Sequence, residues 1–269
     1  ILHDSHDEDF LHLQPSRFPL PVAGLAIRVR RTKDEHRMAD ALHKLLEEDP
    51  CLALESNQTT RETVLRGLSE LHLRTALEHL ETRYRIELDT SKPSVAYRET
   101  ITTRAESQHR HKKQTGGAGQ FGEVVLQVEP LPRGAGFQFS SVVVGGAIPG
   151  TLIPAVEKGV REGMAAGAVA GFPIVDLKVV VTDGKHHPVD SKEIAFMMAG
   201  RKALLAAVRD ARPVVMEPIG NLEVQVPQDA VGSVTGDLAG RRGRVLGTRS
   251  LPHGRIVVMA QAPLAELDD

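Results

Sequence analysis

The sequence of 269 residues has a single cysteine, no long apolar segment and a net charge of only -2. Because Cys51 has no second thiol in the chain to pair with, an internal disulfide is excluded. No apolar run approaches the ~20 residues that a membrane-spanning helix needs. Residues 1–9 are acidic, whereas a secretory signal is basic and then apolar. We therefore expect a cytoplasmic protein without a membrane span.

Motifs of common catalytic sites are also missing. The sequence contains no G-x-S-x-G elbow, no H-E-x-x-H and no Walker lysine loop. His186 and His187 are adjacent, and neighbouring side chains on an extended backbone point in opposite directions, so they are poor joint metal ligands. No cysteine or carboxylate completes a metal set with His109 and His111. We expect neither a catalytic centre nor a metal site in this chain.

Positive charge is concentrated in two segments. A net charge near zero usually argues against a nucleic-acid partner, but local patches matter more than the sum. Residues 104–113 contain four cations and one acid, and residues 237–253 contain four arginines and one acid. Each segment is either a solvated face or a contact with phosphates, and charge alone does not decide between the two.

Regular hydrophobic patterns begin after residues 1–20, which are typical of a linker or of the end of a preceding domain. Residues 21–92 predict an alternating strand, a helix closed by Pro50, two short strands, a second helix capped by Ser69 and a last strand at 84–88. This βαββαβ order is that of a ferredoxin-like domain.

The remaining chain predicts two further domains and an α+β class overall. Residues 93–216 form the larger one. In residues 217–269 the order βαββ restarts, but the sequence ends before a second helix and a fourth strand, so we expect a truncated ferredoxin-like domain. The strands of the larger domain are expected near 124–128, 137–144 and 174–181, and its helices near 152–164 and 191–210.

A glycine-rich segment, residues 115–122, contains the spacing G-x-G-x-x-G from Gly117 to Gly122. A dinucleotide site needs a helix after these glycines, so that the pyrophosphate lies at a helix N-terminus. Here a predicted strand follows them, which makes a nucleotide-binding enzyme the less favoured alternative. The favoured interpretations are a loop whose amides and neighbouring lysines approach phosphates, or an ordinary hairpin tip.

A second loop, residues 183–191, joins a strand to a helix and carries the adjacent histidines. An imidazole there can stack on or hydrogen-bond to a nucleic-acid base or sugar without any metal. Asp190 and Glu193 have the spacing of a capping box, so we predict that Asp190 caps the following helix rather than acting as a catalytic acid.

Ordered motifs over nearly all of residues 18–264 resemble those of the elongation factor G family. The sequence GLSELHL at 67–73 is similar to a helix start in that family's third domain, and KPSVAYRE at 92–99 is similar to the junction with the fourth. Residues 113–122, 145–150, 154–159 and 183–191 resemble the fourth domain, and residues 217–219 and 236–243 resemble the fifth.

The resemblance implies a division of the chain. Residues 1–20 would be a linker or the end of a preceding β-barrel domain, and 21–92 would be the ferredoxin-like domain III. Residues 93–216 would be domain IV, a ribosomal-protein-type α+β fold with a left-handed βαβ crossover, and 217–269 a truncated domain V. The intact parent would be a ribosome-dependent GTPase of tRNA–mRNA translocation, with GTP and Mg²⁺ in an N-terminal domain outside this chain.

The resemblance also implies partners and sites. The partners would be the factor-binding region of the large subunit, the small-subunit decoding site, tRNA and mRNA, contacted by a monomer. Two tip loops of domain IV would hold the codon–anticodon duplex, and an arginine cluster would contact ribosomal RNA. The tip residues are Gly116, Gly117, Gly119, Gln120, Lys185, His186 and His187, and the cluster comprises Arg241, Arg242 and Arg244.

Two tip positions depart from the family pattern. Ala118 stands where a basic residue is common, and Pro188 stands where an acidic one is frequent. These departures resemble those of elongation factor G-like paralogues. A related ribosome-binding role in recycling, ribosomal protection or release is therefore an alternative to translocation.

Overall fold

The computed structural model describes Ser16 and residues 18–57, 59–114 and 119–267. Most of the predicted linker at 1–20 lies outside these residues. The chain divides at Ser94 into two compact units, which we describe separately. In the part of the chain that the structure describes, no helix combines the length and apolar character needed to cross a membrane.

The first unit has the element order βαββαβ. Its sheet has the strand order β2-β3-β1-β4, and all neighbouring strands are antiparallel. The elements are β1 (Ala23–Val29), α1 (Glu35–Glu48), β2 (Ala53–Asn57), β3 (Glu62–Gly67), α2 (Glu70–Tyr84) and β4 (Leu88–Ser91).

Apolar side chains at helical and alternating positions build the core of this unit, including Leu42 of α1, Leu65 of β3 and Leu80 of α2. The predicted cap is confirmed, because the Ser69 side chain accepts a hydrogen bond from the His72 amide. The predicted start of the last strand at residue 84 is wrong. Tyr84 ends α2 instead, since its spacing from Leu80 also fits the helical period.

The second unit begins with a mixed sheet covered by two helices. The strand order is β6-β7-β9-β8, in which only β8 and β9 are parallel, and a separate pair joins β5 to β10. The elements are β5 (Arg98–Ile101), β6 (Ala105–Lys113), β7 (Gln120–Pro130), β8 (Phe137–Ser141), α3 (Ile153–Ala166), β9 (Leu177–Lys185), α4 (Glu193–Asp210) and β10 (Pro213–Met216).

Apolar side chains of α3, α4 and one face of this sheet form a single hydrophobic core. Val124, Leu126 and Val128 of β7 are completely buried in that core together with Phe196 of α4. Because side chains alternate along a strand, Glu123 and Gln127 belong to the opposite face, where polar partners cover them. The β5–β10 pair has no counterpart among the predicted strands.

The end of the second unit is a three-stranded antiparallel sheet in the order β11-β13-β12. One helix packs on it, and the small core contains Leu238, Val258 and Ala260. The elements are β11 (Ile219–Pro227), α5 (Val231–Gly240), β12 (Arg244–Leu251) and β13 (Arg255–Pro263).

Candidate nucleic-acid interface

The glycine-rich segment connects two paired strands. Strands β6 and β7 are antiparallel up to the pair Lys113–Gln120, so the G-x-G-x-x-G spacing lies at a hairpin end and is followed by a strand. This geometry lacks the helix N-terminus that a dinucleotide site requires. The predicted tip residues Gly116 and Gly117 lie outside the described residues, whereas Gly119 and Gln120 are described.

The two predicted tip loops are joined by hydrogen bonds around Asp190 and Ser191. The Asp190 carboxylate accepts the Gly119 amide at 3.0 Å, and its backbone carbonyl accepts the Phe121 amide at 2.9 Å. The Ser191 hydroxyl donates to the Phe121 carbonyl at 2.8 Å. The ends of the hairpin and of the second loop therefore form one surface.

The predicted capping box at Asp190 is wrong. Helix α4 begins at Glu193, and its N-cap residue is Lys192, which makes no side-chain capping bond. The Asp190 carboxylate is instead engaged by an amide 71 positions away in sequence, that of Gly119. The carboxylate thus stabilises the tip rather than the helix.

His187 is held so that one edge of its ring faces solvent. Its Nδ1 lies 3.3 Å from the amides of Val189 and Asp190 and 3.6 Å from the Asp190 carboxylate; in the neutral imidazole that accepts from these amides, the ring proton is on Nε2. The side chain is 54% exposed and lies edge-on to Phe121. The Nε2–H is thus the group that His187 can offer to a ligand.

The neighbouring histidine is directed elsewhere. His186 Nδ1 donates to the carbonyl of Ala147 at 3.1 Å, so the two rings have different partners. Within the described ranges no group of three or more His, Cys, Asp or Glu side chains could hold a metal ion. His187 and His186 are therefore arranged as separate contacts.

Lys185 and Gln120 lie at the base of the tip. A Cβ on the preceding Gly184 would lie 2.3 Å from the Glu123 carbonyl oxygen, so glycine is required where β9 meets β7. Lys185 itself is exposed. The Gln120 carboxamide oxygen accepts from His111 Nε2 at 3.1 Å, which fixes it to β6.

His109 adds no positive charge to this region. Burial first, and then the nearby charges of Lys202 and His111, lower the pKa of His109 below its usual 6.5. The imidazole is therefore neutral at neutral pH.

The arginine cluster is largely engaged within the protein. Arg241 donates from Nε to Asp237 and from Nη1 to the Glu266 carbonyl. Arg242 donates from Nη1 and Nη2 to Glu217 and from Nε to Glu266, and these hydrogen bonds to carboxylates raise the pKa of Arg242 above its usual value. Arg244 is exposed on β12. Carboxylate or carbonyl oxygens of the protein thus already bind the guanidinium groups of Arg241 and Arg242. RNA contact by this cluster remains a prediction.

Comparison with protein families gives one consistent result along the chain. Residues 18–92 match the model of elongation factor G domain III, residues 93–212 match domain IV, and residues 214–269 match the C-terminus of elongation factor G. The chain belongs to the elongation factor G family. The resemblance found in the sequence motifs is thereby confirmed.

Individual members of the elongation factor G family are similar over nearly the whole chain. An elongation factor G-like protein of Thermotoga maritima is 41% identical over 98% of this chain and 39% of the relative. One of Mycobacterium tuberculosis is 46% identical over 96% of this chain and 36% of the relative. A crystal structure from Thermus thermophilus has a TM-score of 0.78 at 42% identity, covering 96% of this chain and 40% of that one. The chain thus spans about two-fifths of the length of each of these three proteins.

Replacing Asp190 with alanine should loosen the tip of this family member without unfolding it. The change removes the charged acceptor of the Gly119 amide, a type of bond that contributes about 1.5–3 kcal/mol. We expect the Gly119 amide to exchange with solvent at least about tenfold faster, as measured by NMR. Asp190→Asn keeps an oxygen at this position and is the control, and equal exchange in all three proteins would contradict the assignment.

Proposed function

We propose that this chain is the ribosome- and RNA-contacting part of an elongation factor G-like translational GTPase that moves tRNA and mRNA. The observation that carries the proposal is the bonding of the hairpin end to the 183–191 loop through Asp190 and Ser191. This arrangement puts Gln120, Lys185 and His187 at one end of a domain in which two helices pack on a sheet. Backbone and side-chain donors at such an end can reach a nucleic-acid backbone and base edges.

The role of the chain in this proposal is mechanical. GTP and Mg²⁺ would be bound by an N-terminal domain of the parent, which would supply the GTPase activity. We further propose that residues 21–92 are a ferredoxin-like domain III, an assignment supported by the strand order β2-β3-β1-β4. Residues 93–216 would be domain IV, with a left-handed β8-α3-β9 crossover, and residues from 217 a ferredoxin-like domain V.

The proposed partners follow from the family. The tip would enter the small-subunit decoding site and contact tRNA and mRNA, while the C-terminal sheet with Arg244 would approach the factor-binding region of the large subunit. The protein would act as a monomer in the cytoplasm. A nucleotide-binding enzyme is not supported, because the glycine spacing lies in a hairpin.

A role in recycling or a related ribosomal step is the second candidate. It is favoured by Pro188 at the tip, a position where an acidic residue is frequent in the family pattern. A translocation assay with the full-length protein separates the two, since a recycling factor would split ribosomes but leave tRNA movement at its uncatalysed rate.

Replacing His187 with alanine in the full-length protein should slow tRNA movement while sparing ribosome-stimulated GTP hydrolysis. Loss of a hydrogen bond from the Nε2–H costs about 0.5–1.5 kcal/mol, which corresponds to roughly two- to tenfold in rate. Rapid-kinetic measurement of tRNA movement and of phosphate release tests both parts. His79→Ala on the exposed side of α2 is the control, and a normal translocation rate in His187→Ala would remove this residue from the interface.

A further inference from the structure

A row of three charged residues crosses the sheet next to the tip. Arg110 of β6 pairs directly with Glu123 of β7, which in turn pairs with Lys185 of β9. Residues that are directly opposite on neighbouring strands project from the same face. Val124 projects from the other face of the sheet, which packs against α3 and α4. The two outer members of the row are cations, and the middle one is an acid.

The acid is buried and the cations are exposed. The Glu123 side chain is only 2% exposed, whereas Arg110 is 56% and Lys185 67% exposed. Glu123 accepts from Arg110 Nε and from Gln108 at 2.8 Å, and Lys185 Nζ lies 3.9 Å from its Oε1. Glu123 holds Arg110 by a hydrogen bond and lies within ion-pair distance of Lys185, and the three residues together carry a net charge of +1.

Arg110 retains its terminal donors. Only its Nε is used, and its two Nη atoms make no hydrogen bond to any described residue. By contrast, Arg242 has Nε and both Nη atoms engaged by carboxylates. A guanidinium that is anchored at Nε presents the end-on fork that matches a phosphate. Arg110 therefore has free terminal donors, which Arg242 lacks.

We infer that Arg110 and Lys185 form a binding site for the phosphate backbone of RNA beside the tip. This inference rests on the proposed function and extends its contact surface along the open face of the sheet. Strands lie ~4.8 Å apart, so the two cations begin about 10 Å apart, close enough for neighbouring phosphates of one strand. Lys112 continues the same face of β6 and is exposed.

RNA fits this site better than a protein partner does. A protein interface is anchored by buried aromatic or apolar side chains. The exposed side chains along this face of β6 and β9 are Gln108, Arg110, Lys112, Asp183 and Lys185, all polar or charged, and the apolar Phe121 and Val125 of β7 are only partly exposed between them. Contacts of this kind position a nucleic acid through its backbone and do not depend on its base sequence.

The test is the salt dependence of binding of the full-length protein to ribosomes that carry mRNA and tRNA. Each phosphate contact contributes roughly 0.7–0.9 to the slope of log affinity against log salt between about 50 and 200 mM. Lys185→Gln should lower the slope by roughly one such contact. The triple variant R110Q/E123Q/K185Q should lower it by roughly two, and it leaves no buried carboxylate without a partner. Lys158→Gln on α3 is the control, because it lowers the net charge by one, as the triple variant does.

Three outcomes are distinguishable. A reduced slope in both site variants and an unchanged slope in Lys158→Gln support the site. If the wild type binds in a salt-dependent manner and both site variants keep its slope, the site is overturned but the proposed function is not. If the wild type does not bind, the proposed function is overturned. A photo-crosslinker at Lys112 identifies the partner class: crosslinks to RNA support the inference, and crosslinks only to ribosomal protein contradict it.

Discussion

Replacing Gly159 with alanine should lower the free energy of unfolding of the second unit by about 3 kcal/mol or more. A Cβ at this position would lie 2.0 Å from the carbonyl oxygen of Met197 and 2.7 Å from its carbonyl carbon. These are backbone atoms of α4, so a side-chain rotation cannot relieve the overlap. Helices α3 and α4 would have to separate, and overpacking that moves backbone costs at the upper end of the usual ~1–3 kcal/mol or beyond it.

Urea unfolding followed by circular dichroism measures this change. Gly232→Ala in α5 is the matched control, because a Cβ there meets no atom within 4 Å. Alanine in a helix is favoured over glycine by about 1 kcal/mol, so the control should be neutral or slightly stabilising. If both variants unfolded at the same urea concentration as the wild type, close contact between α3 and α4 would be contradicted.

The crossing of α3 and α4 also bears on the tip. Helix α4 begins directly after the 183–191 loop, and a Cβ on Gly122 of β7 would lie 3.1 Å from the Ala195 carbonyl carbon. The first turn of α4 thus lies against the strand that leaves the glycine-rich hairpin. Displacing α4 should therefore move Asp190 and Ser191 away from their bonds to the hairpin.

Local patterns in the sequence predicted most of the elements of this fold. Hydrophobic alternation indicated β1 and β11, helical spacing indicated α1 and α3, and each of these elements is present. The β5–β10 pair was not predicted, because its strands have four residues each and their register joins positions more than 100 apart, such as Thr100 and Val214. No local period reports such a pairing.

The candidate site was predictable as two loops but not as one surface. The family motifs indicated both loops, whereas the Asp190–Gly119 bond links residues far apart in sequence. The Asp190–Glu193 spacing also fits a capping box, so local reasoning favoured the wrong partner for the carboxylate. The engagement of Arg242 by Glu217 and Glu266 was missed for a similar reason, since an arginine run in sequence does not show which carboxylates fold against it.

Glu99 stabilises the second unit through buried hydrogen bonds, and its replacement by glutamine should be strongly destabilising. Its side chain is completely buried. Its two oxygens accept hydrogen bonds from backbone amides of one loop at 2.7–3.3 Å. The glutamine carboxamide would offer only one acceptor oxygen, and its NH₂ group would face the remaining amide donors. Leaving buried donors unsatisfied costs about 1–3 kcal/mol each, so we expect a loss of about 3 kcal/mol or more. The donors are Ala168, Val169, Ala170 and Phe172.

The effect of Glu99→Gln should depend on pH in a defined direction. Burial by itself would raise the pKa of Glu99, but the backbone hydrogen bonds from Ala168 and its neighbours outweigh burial and lower the pKa below 4.5. A carboxyl group whose pKa is lower in the folded state stabilises the fold above its unfolded pKa, and this contribution is lost as the pH falls through the folded value. The difference in unfolding free energy between wild type and Glu99→Gln should thus be largest near pH 7 and shrink below about pH 4.5. Glu106→Gln is the control: this residue is exposed on β6, so the free energy of unfolding of the variant should be within about 0.5 kcal/mol of the wild type. If the difference between wild type and Glu99→Gln stayed constant down to about pH 3, the loop amides would not be bound by the charged carboxylate.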